Sequence, residues 1–348
     1  MTDTFIPQAD HIPVGWGWFE VLLILTFVLH LILMNFIVGG SLIAVWETIR
    51  GKKTLKAGNN IPLLIALTIN LGVPPLLFVQ VLYGHLFYSS SVVMALPWIL
   101  IIPILIFAYY AAYIFVKQMD KRPVLSKTAL FISTAFMLYI GFMWVNNSTL
   151  SITPERWSVY FTNMKGSNLN LSEPTLIPRF LHFMVAAVSI AGLGKALWAH
   201  FSKKMSDEER QADLKSGLKI FAWGTMVQVA IGTWFWLSQP RDIWMLFMGK
   251  SLFHTVLMGI SWLLAITMIL AAMRKKLWSS VIMAFVIIVI MAIMRELIRI
   301  AYLDGIFHPG DLTVAPEISP FIAFLITFVA GLLILWYMIR LIVKPQNQ

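Results

Sequence analysis

The chain contains no cysteine. That excludes disulfides, Cys-ligated iron–sulfur clusters, Cys-ligated zinc and a covalently attached c-type haem. Histidine, methionine and carboxylates are left to hold any redox metal. Charge is scarce as well: 12% of the 348 residues are Asp, Glu, Lys or Arg, against about 25% in soluble domains. With 59% hydrophobic residues, such a chain cannot present a normal wet surface, and lipid has to be its solvent. The first sixteen residues hold Asp3 and Asp10 but neither Lys nor Arg. The basic start of a cleavable signal peptide is therefore missing, and the first apolar run is expected to stay as a helix. No internal repeat and no low-complexity tract is visible, so residues 1–348 read as a single polytopic membrane domain. The missing repeat weighs against a secondary transporter.

What the chain has is long apolar runs. A spanning helix needs roughly 20 such residues, and the runs predict about nine, near 16–46, 61–89, 94–117, 127–148, 179–200, 217–238, 250–273, 277–301 and 319–343. The fold class is thus an all-α integral membrane protein, a bundle of about nine transmembrane helices. Pro74 and Pro75 are expected to interrupt the second span. The stretch 203–219 reads as a short solvated helix, and 149–178 as a long loop rich in Ser, Thr and Asn.

The net charge of +10 follows the topology. Of 26 Lys and Arg, 18 fall in or beside 47–60, 118–126, 201–216, 274–276 and the C-terminus, and five on the opposite side. The positive-inside bias makes the first side cytoplasmic, which puts the N-terminus outside and the C-terminus in the cytoplasm. The positive charge is a membrane signal and predicts no nucleic-acid partner.

Ionisable groups inside lipid are costly and mark function by default. His182 and His254 lie at similar depth near the outer ends of spans five and seven, on helices running in the same direction. Two imidazoles so placed suit a b-type haem clamped between helices. Each could instead bond a carbonyl or side chain of a neighbouring helix. Met258, one turn after His254, is an alternative ligand. His30 lies near the middle of span one, where an unpartnered imidazole is not expected. Glu296, near the end of span eight between Arg295 and Arg299, reads as a ligand, a proton carrier or half of an ion pair with Arg299, since i and i+3 face each other. His85 reads equally as a ligand, a quinone contact or an interfacial histidine. Lys195 is expected to snorkel to the inner interface, and Glu20, near a span end, is given no role.

Span one reads HLILMNFIVGGSLIAVWET from His30 to Thr48, span two contains INLGV at 69–73, span five reads RFLHFMVAAVSIAGLGKALWA over 179–199, and span eight ends RELIR at 295–299. These segments resemble subunit I of the cytochrome bd quinol oxidases, a nine-span family with its N-terminus outside. The resemblance implies a bacterial-type inner-membrane protein that oxidises quinol near the outer face and passes electrons through two or three haems. By that resemblance His30 matches the axial ligand of a high-spin haem, and His182 the ligand of the low-spin haem b. Glu296 matches a second high-spin ligand, with Arg299 its companion. His254 stands near the position of the family's methionine ligand. Haem b is implied, with haem d as the variant that goes with oxygen reduction. Two departures matter. The loop at 239–249 is short where the family's quinol-binding loop is long, and the third span has no Asp or Glu where the family has glutamates. The missing carboxylates favour an external c-type cytochrome over oxygen as acceptor, and a second membrane subunit is the other expected partner. A cofactor-free transporter or an ion or proton channel is the competing expectation.

Overall fold

The computed structural model describes residues 5–51, 61–203, 205–316 and 318–343. Nine helices among them are long and apolar enough to cross a bilayer. We label them α1 (Trp16–Ile49), α2 (Ile61–Val93), α3 (Ala95–Gln118), α4 (Pro123–Leu150), α5 (Leu176–Phe201), α6 (Asp207–Leu237), α7 (Leu252–Met273), α8 (Leu277–Tyr302) and α9 (Ile318–Val343). The protein is an all-α multi-span membrane protein. In lipid every backbone N–H and C=O must bond within its own segment, which a helix achieves.

Three boundaries depart from expectation. The stretch 203–219 is not a separate helix; its described part from Asp207 onward is the first part of α6. Ser206 and Glu209 form a capping box at its start, with Glu209 N–H donating to Ser206 Oγ at 3.2 Å and Ser206 N–H to Glu209 Oε2 at 3.1 Å. Three acidic residues occupy the first turn, where they complement the helix dipole. Nothing between this start and the apolar run breaks the helix, so it continues. In α2, Pro74 and Pro75 lie inside the helix, and the residue that leaves helical geometry is Tyr83 (φ −131°, ψ 24°). In α3 the helix is jointed at Leu100.

α1 is the central strut and packs on α2, α4, α5 and α8. Its approach to α5 is made by Gly39, where a Cβ would stand 1.9 Å from the Ala187 carbonyl oxygen. α5 and α6 run against each other along a seam of small residues. Ser189 faces Gly224, Gly192 faces Ile220, and Ala196 faces Gly217. Helices in lipid associate through such close packing rather than through a hydrophobic gain. Lys195, expected to snorkel, instead bridges Glu47 of α1 (3.0 Å) and Asp213 of α6 (3.4 Å). α5 and α7 both pack against α6 and against α8. α9 presents nearly all of its surface outward and docks through Phe321 on Phe19 (5.7 Å) and Phe324 on Phe78 (5.0 Å).

The loop between α4 and α5 is a packed cap. Asn146 Oδ1 accepts from Asn170 N–H (2.8 Å), Trp157 Nε1 donates to the Leu150 carbonyl (2.8 Å), and Leu96 N–H donates to the Gly166 carbonyl (2.7 Å). At the same end the segment before α1 pairs with the one before α9: Ile12 N–H donates to Thr313 and Ala315 N–H to Ile12, both at 2.9 Å.

Adjacent glycines on α1 test this packing. A Cβ at Gly40 meets nothing within 4 Å. Gly39→Ala is expected to destabilise by about 1–3 kcal/mol through overpacking. Gly40→Ala is expected to be neutral or stabilising by up to about 1 kcal/mol, because alanine favours the helix. Thermal unfolding in detergent reads both.

Candidate functional site

Sequence positions 295–299 place one carboxylate between two guanidiniums within little more than a turn of α8. Arg295 Nη1 donates to Glu296 Oε1 at 2.7 Å, and Arg299 Nη1 to Glu296 Oε2 at 2.8 Å. Glu296 and Arg299 are 3% and 7% exposed, so the pair is dry. Both arginines also lie on aromatic faces: Arg295 is 4.4 Å from the centre of the Phe27 ring of α1, and Arg299 is 4.6 Å from that of Tyr83 of α2. Such contacts strengthen when desolvated. Glu20 of α1 lies within electrostatic range of Glu296, Arg295 and Arg299. Its Oε2 is buried without a hydrogen-bond partner, as is the Tyr83 hydroxyl. Two carboxylates and two guanidiniums from α1 and α8 therefore balance, around a tyrosine on the distorted turn of α2. A cavity of about 10 Å³ touches Tyr83, Arg299 and Ser151, the size that holds a single water.

Glu20 and Tyr83 were missed in the sequence. Glu20 is near a helix end, which suggested water access, but one of its carboxylate oxygens is buried. A signal was present: Glu20 precedes Phe27 by two turns, on the face that meets Arg295.

The histidines occupy separate settings. The His30 ring lies against Gly72 of α2, where a Cβ would stand 2.8 Å from its Cε1, and its Nδ1 is 3.0 Å from the Thr68 carbonyl oxygen. His182 of α5 lies against Gly232 of α6, where a Cβ would be 3.0 Å from Cε1 and 3.3 Å from Nδ1. That Nδ1 is buried with no partner. The ring tilts toward Phe235 at 6.0 Å. His254 Nδ1 is 2.8 Å from Ser251 Oγ, and its ring meets Phe247 edge-on at 5.1 Å. Met258 is half-buried one turn further along α7. His85 packs edge-on against Phe307 at 4.4 Å. The residues brought into one cluster are thus Glu296 and Arg299, with Arg295, Glu20 and Tyr83.

These settings can be tested against a haem. An axial imidazole commonly has one nitrogen fixed by a carbonyl or side chain and the other free for the metal. His30 and His254 fit, each with Nδ1 engaged. His182 has an uncommitted Nδ1, but that atom is fully buried and the ring fills the space beside Gly232, so a metal there needs the α5–α6 contact to open. Glu296 is held by two arginines through both oxygens, the arrangement of an ion pair. Beside Ser89, one turn beyond His85, a cavity of about 210 Å³ is lined by Phe5, Val92, Trp157, Tyr160 and Phe161. Flat aromatic rings can enter such a site and stack.

Removing one partner of a buried ion pair leaves an unpaired charge. Arg299→Met is expected to cost about 3–5 kcal/mol, and the double change Glu296→Gln with Arg299→Met to recover most of it. Unfolding of the single and double variants measures the difference. In comparison with known proteins, the chain matches no family model, no curated protein and no solved structure.

Proposed function

We propose that the chain is a haem-carrying, quinol-linked electron-transfer subunit, a divergent relative of subunit I of the cytochrome bd quinol oxidases. It would sit in a bacterial-type inner membrane with its N-terminus outside. The observation that carries this reading is His182: a buried imidazole with an unpartnered Nδ1, lying against a glycine on the facing helix. Inside a bilayer an uncommitted imidazole is costly and marks function by default. Haem b, when bound, supplies one-electron chemistry at an imidazole-ligated iron.

The rest of the chain has positioning and proton work to do. The Thr68 carbonyl, accepting from His30 Nδ1, selects the tautomer whose Nε2 lone pair is free. His254, with Met258 one turn on, is the candidate partner of His182, since α5 and α7 both pack against α6 and α8. Oxidising a quinol to a quinone releases two electrons and two protons. Glu20 and Glu296 offer carboxylates to carry those protons, and Arg295 and Arg299 hold the carboxylate charge in a dry site. The aromatic cavity beside Ser89 suits the quinol ring, with Trp157, Tyr160 and Phe161 as stacking partners. The lack of acidic residues in α3 favours an external cytochrome as acceptor over oxygen, reached through a partner subunit. The buried charge cluster also favours a second reading, a cofactor-free proton or ion path.

A reduced-minus-oxidised optical spectrum of the purified protein decides between them. A low-spin haem b band that disappears in His182→Ala while His30→Ala leaves it intact is the expected result. A protein without haem removes the electron-transfer reading and leaves the ion path. Filling the aromatic cavity with Val92→Trp is expected to slow quinol-driven haem reduction by about tenfold or more, roughly 1.4 kcal/mol, with the spectrum unchanged. An unaltered rate would move the quinol elsewhere.

A further inference from the structure

The segment that precedes α1 carries an aromatic side chain to the cavity beside Ser89. Pro7 and Pro13 limit the freedom of its backbone, and it is fixed at two points. Ile12 is buried and exchanges backbone hydrogen bonds with Thr313 and Ala315, both at 2.9 Å. Ile6 packs against the apolar cluster that contains Ile12, Leu312 and Trp157. Phe5, next to Ile6, is 41% exposed, lines the cavity, and meets Phe161 of the cap with ring centres 5.3 Å apart. A lone exposed phenylalanine needs no explanation. One that its own segment holds at a cavity, against an aromatic ring from a distant part of the chain, is a wall of that cavity.

The cap side is firmly held. Trp157 is buried, and its Nε1 donates to the Leu150 carbonyl at 2.8 Å. Asn168 N–H donates to the Val93 carbonyl at 3.3 Å and Leu96 N–H to the Gly166 carbonyl at 2.7 Å, which ties the cap to α2 and α3. The space enclosed is about 210 Å³, roughly seven waters' share of the liquid, enough for one substituted six-membered ring. None of its described lining residues is charged, so an ion would lose its hydration there without a counter-charge. Beyond Trp157, whose Nε1 is engaged, the polar side chains are Ser89 and Tyr160. Ser89 Oγ donates to the His85 carbonyl at 2.8 Å and keeps its lone pairs for a donor. A lipid acyl chain would use the apolar lining and leave the hydroxyls unused. A neutral ring edged with O–H groups uses both.

We infer that Phe5 is a ligand-contact residue that closes this cavity over a flat, uncharged ring, so that the segment before α1 is part of the binding site. The inference rests on the reading of this cavity as the quinol site. The ring stacks on the aromatic side chains and donates a hydroxyl to Ser89.

The test uses the full-length protein in detergent and an azido-substituted benzoquinone, with the photolabelled peptides mapped by mass spectrometry. Wild type is expected to carry label on the peptides that hold Phe5 and Trp157–Phe161, and excess parent benzoquinone to displace it. Phe5→Ala is expected to lower labelling of the cap peptide about tenfold, and Phe5→Trp to keep it. Phe5 is exposed, so thermal unfolding of both variants is expected to match wild type, and a loss of label is then a loss of binding. Val92→Trp, which fills the cavity, is expected to abolish the label. Displaceable cap labelling that is equal in wild type and Phe5→Ala overturns the role of Phe5 and leaves the quinol site standing. Displaceable label confined to other segments moves the quinol elsewhere and overturns both. Cap label that excess benzoquinone does not displace, but a fatty acid does, assigns the cavity to lipid and likewise overturns both.

Discussion

The close approach of α5 and α6 is the constraint on which the rest of the site depends. Gly192, Ala196 and Ser189 on one helix meet Gly217, Ile220 and Gly224 on the other. With no hydrophobic gain available between helices in lipid, dispersion between backbones brought close by small residues holds the pair. Because the helices are antiparallel and in fixed register, the seam continues without a slip to His182 opposite Gly232 and Arg179 opposite Phe235. The packing that joins the helices near the basic end thus sets how much room an imidazole has near the other end. Bulk at Gly217 or Gly224 would be felt at His182 through the register, far from the substituted residue.

Electrostatics divides α1 in the same way. Toward its end, Glu47 pairs with Lys195, which also reaches Asp213 of α6. Near its start, Glu20 faces Arg295, Glu296 and Arg299 of α8. These acids lie about 40 Å apart along the helix at 1.5 Å per residue, and His30 lies between them. The Glu47–Lys195 bridge near its end, Arg295 over Phe27 nearer its start and Gly39 against Ala187 hold α1 in place. A helix so restrained keeps His30 against Gly72 and its Nδ1 on the Thr68 carbonyl. Glu296 and Arg299 are tolerated in a dry site because they pair with each other.

The packed cap between α4 and α5 has a double effect. Trp157 and the Gly166 carbonyl satisfy backbone groups at the end of α4 and the start of α3. Trp157, Tyr160 and Phe161 of the same cap wall the aromatic cavity beside Ser89, and Ser151 and Ile152 the one-water space beside Arg299. A loop long enough to look unstructured in sequence is therefore part of the enclosure beside Ser89 and Arg299.

The sequence by itself determined the nine spans, because length and apolarity in lipid leave the backbone no other way to satisfy its hydrogen bonds. It also offered the Glu296–Arg299 ion pair as one of three readings, since residues three apart on a helix face each other. The histidines were visible as costly residues, but their surroundings were not. That His182 has a free nitrogen and that His30 has a carbonyl partner depend on which residues of α2 and α6 lie opposite. Only the tertiary structure decided those, because opposite residues come from segments far apart in the chain, and helix periodicity carries no information about the register between two helices. Lys195 makes the same point: depth along a span suggested water, and the bundle supplied Glu47 and Asp213 instead.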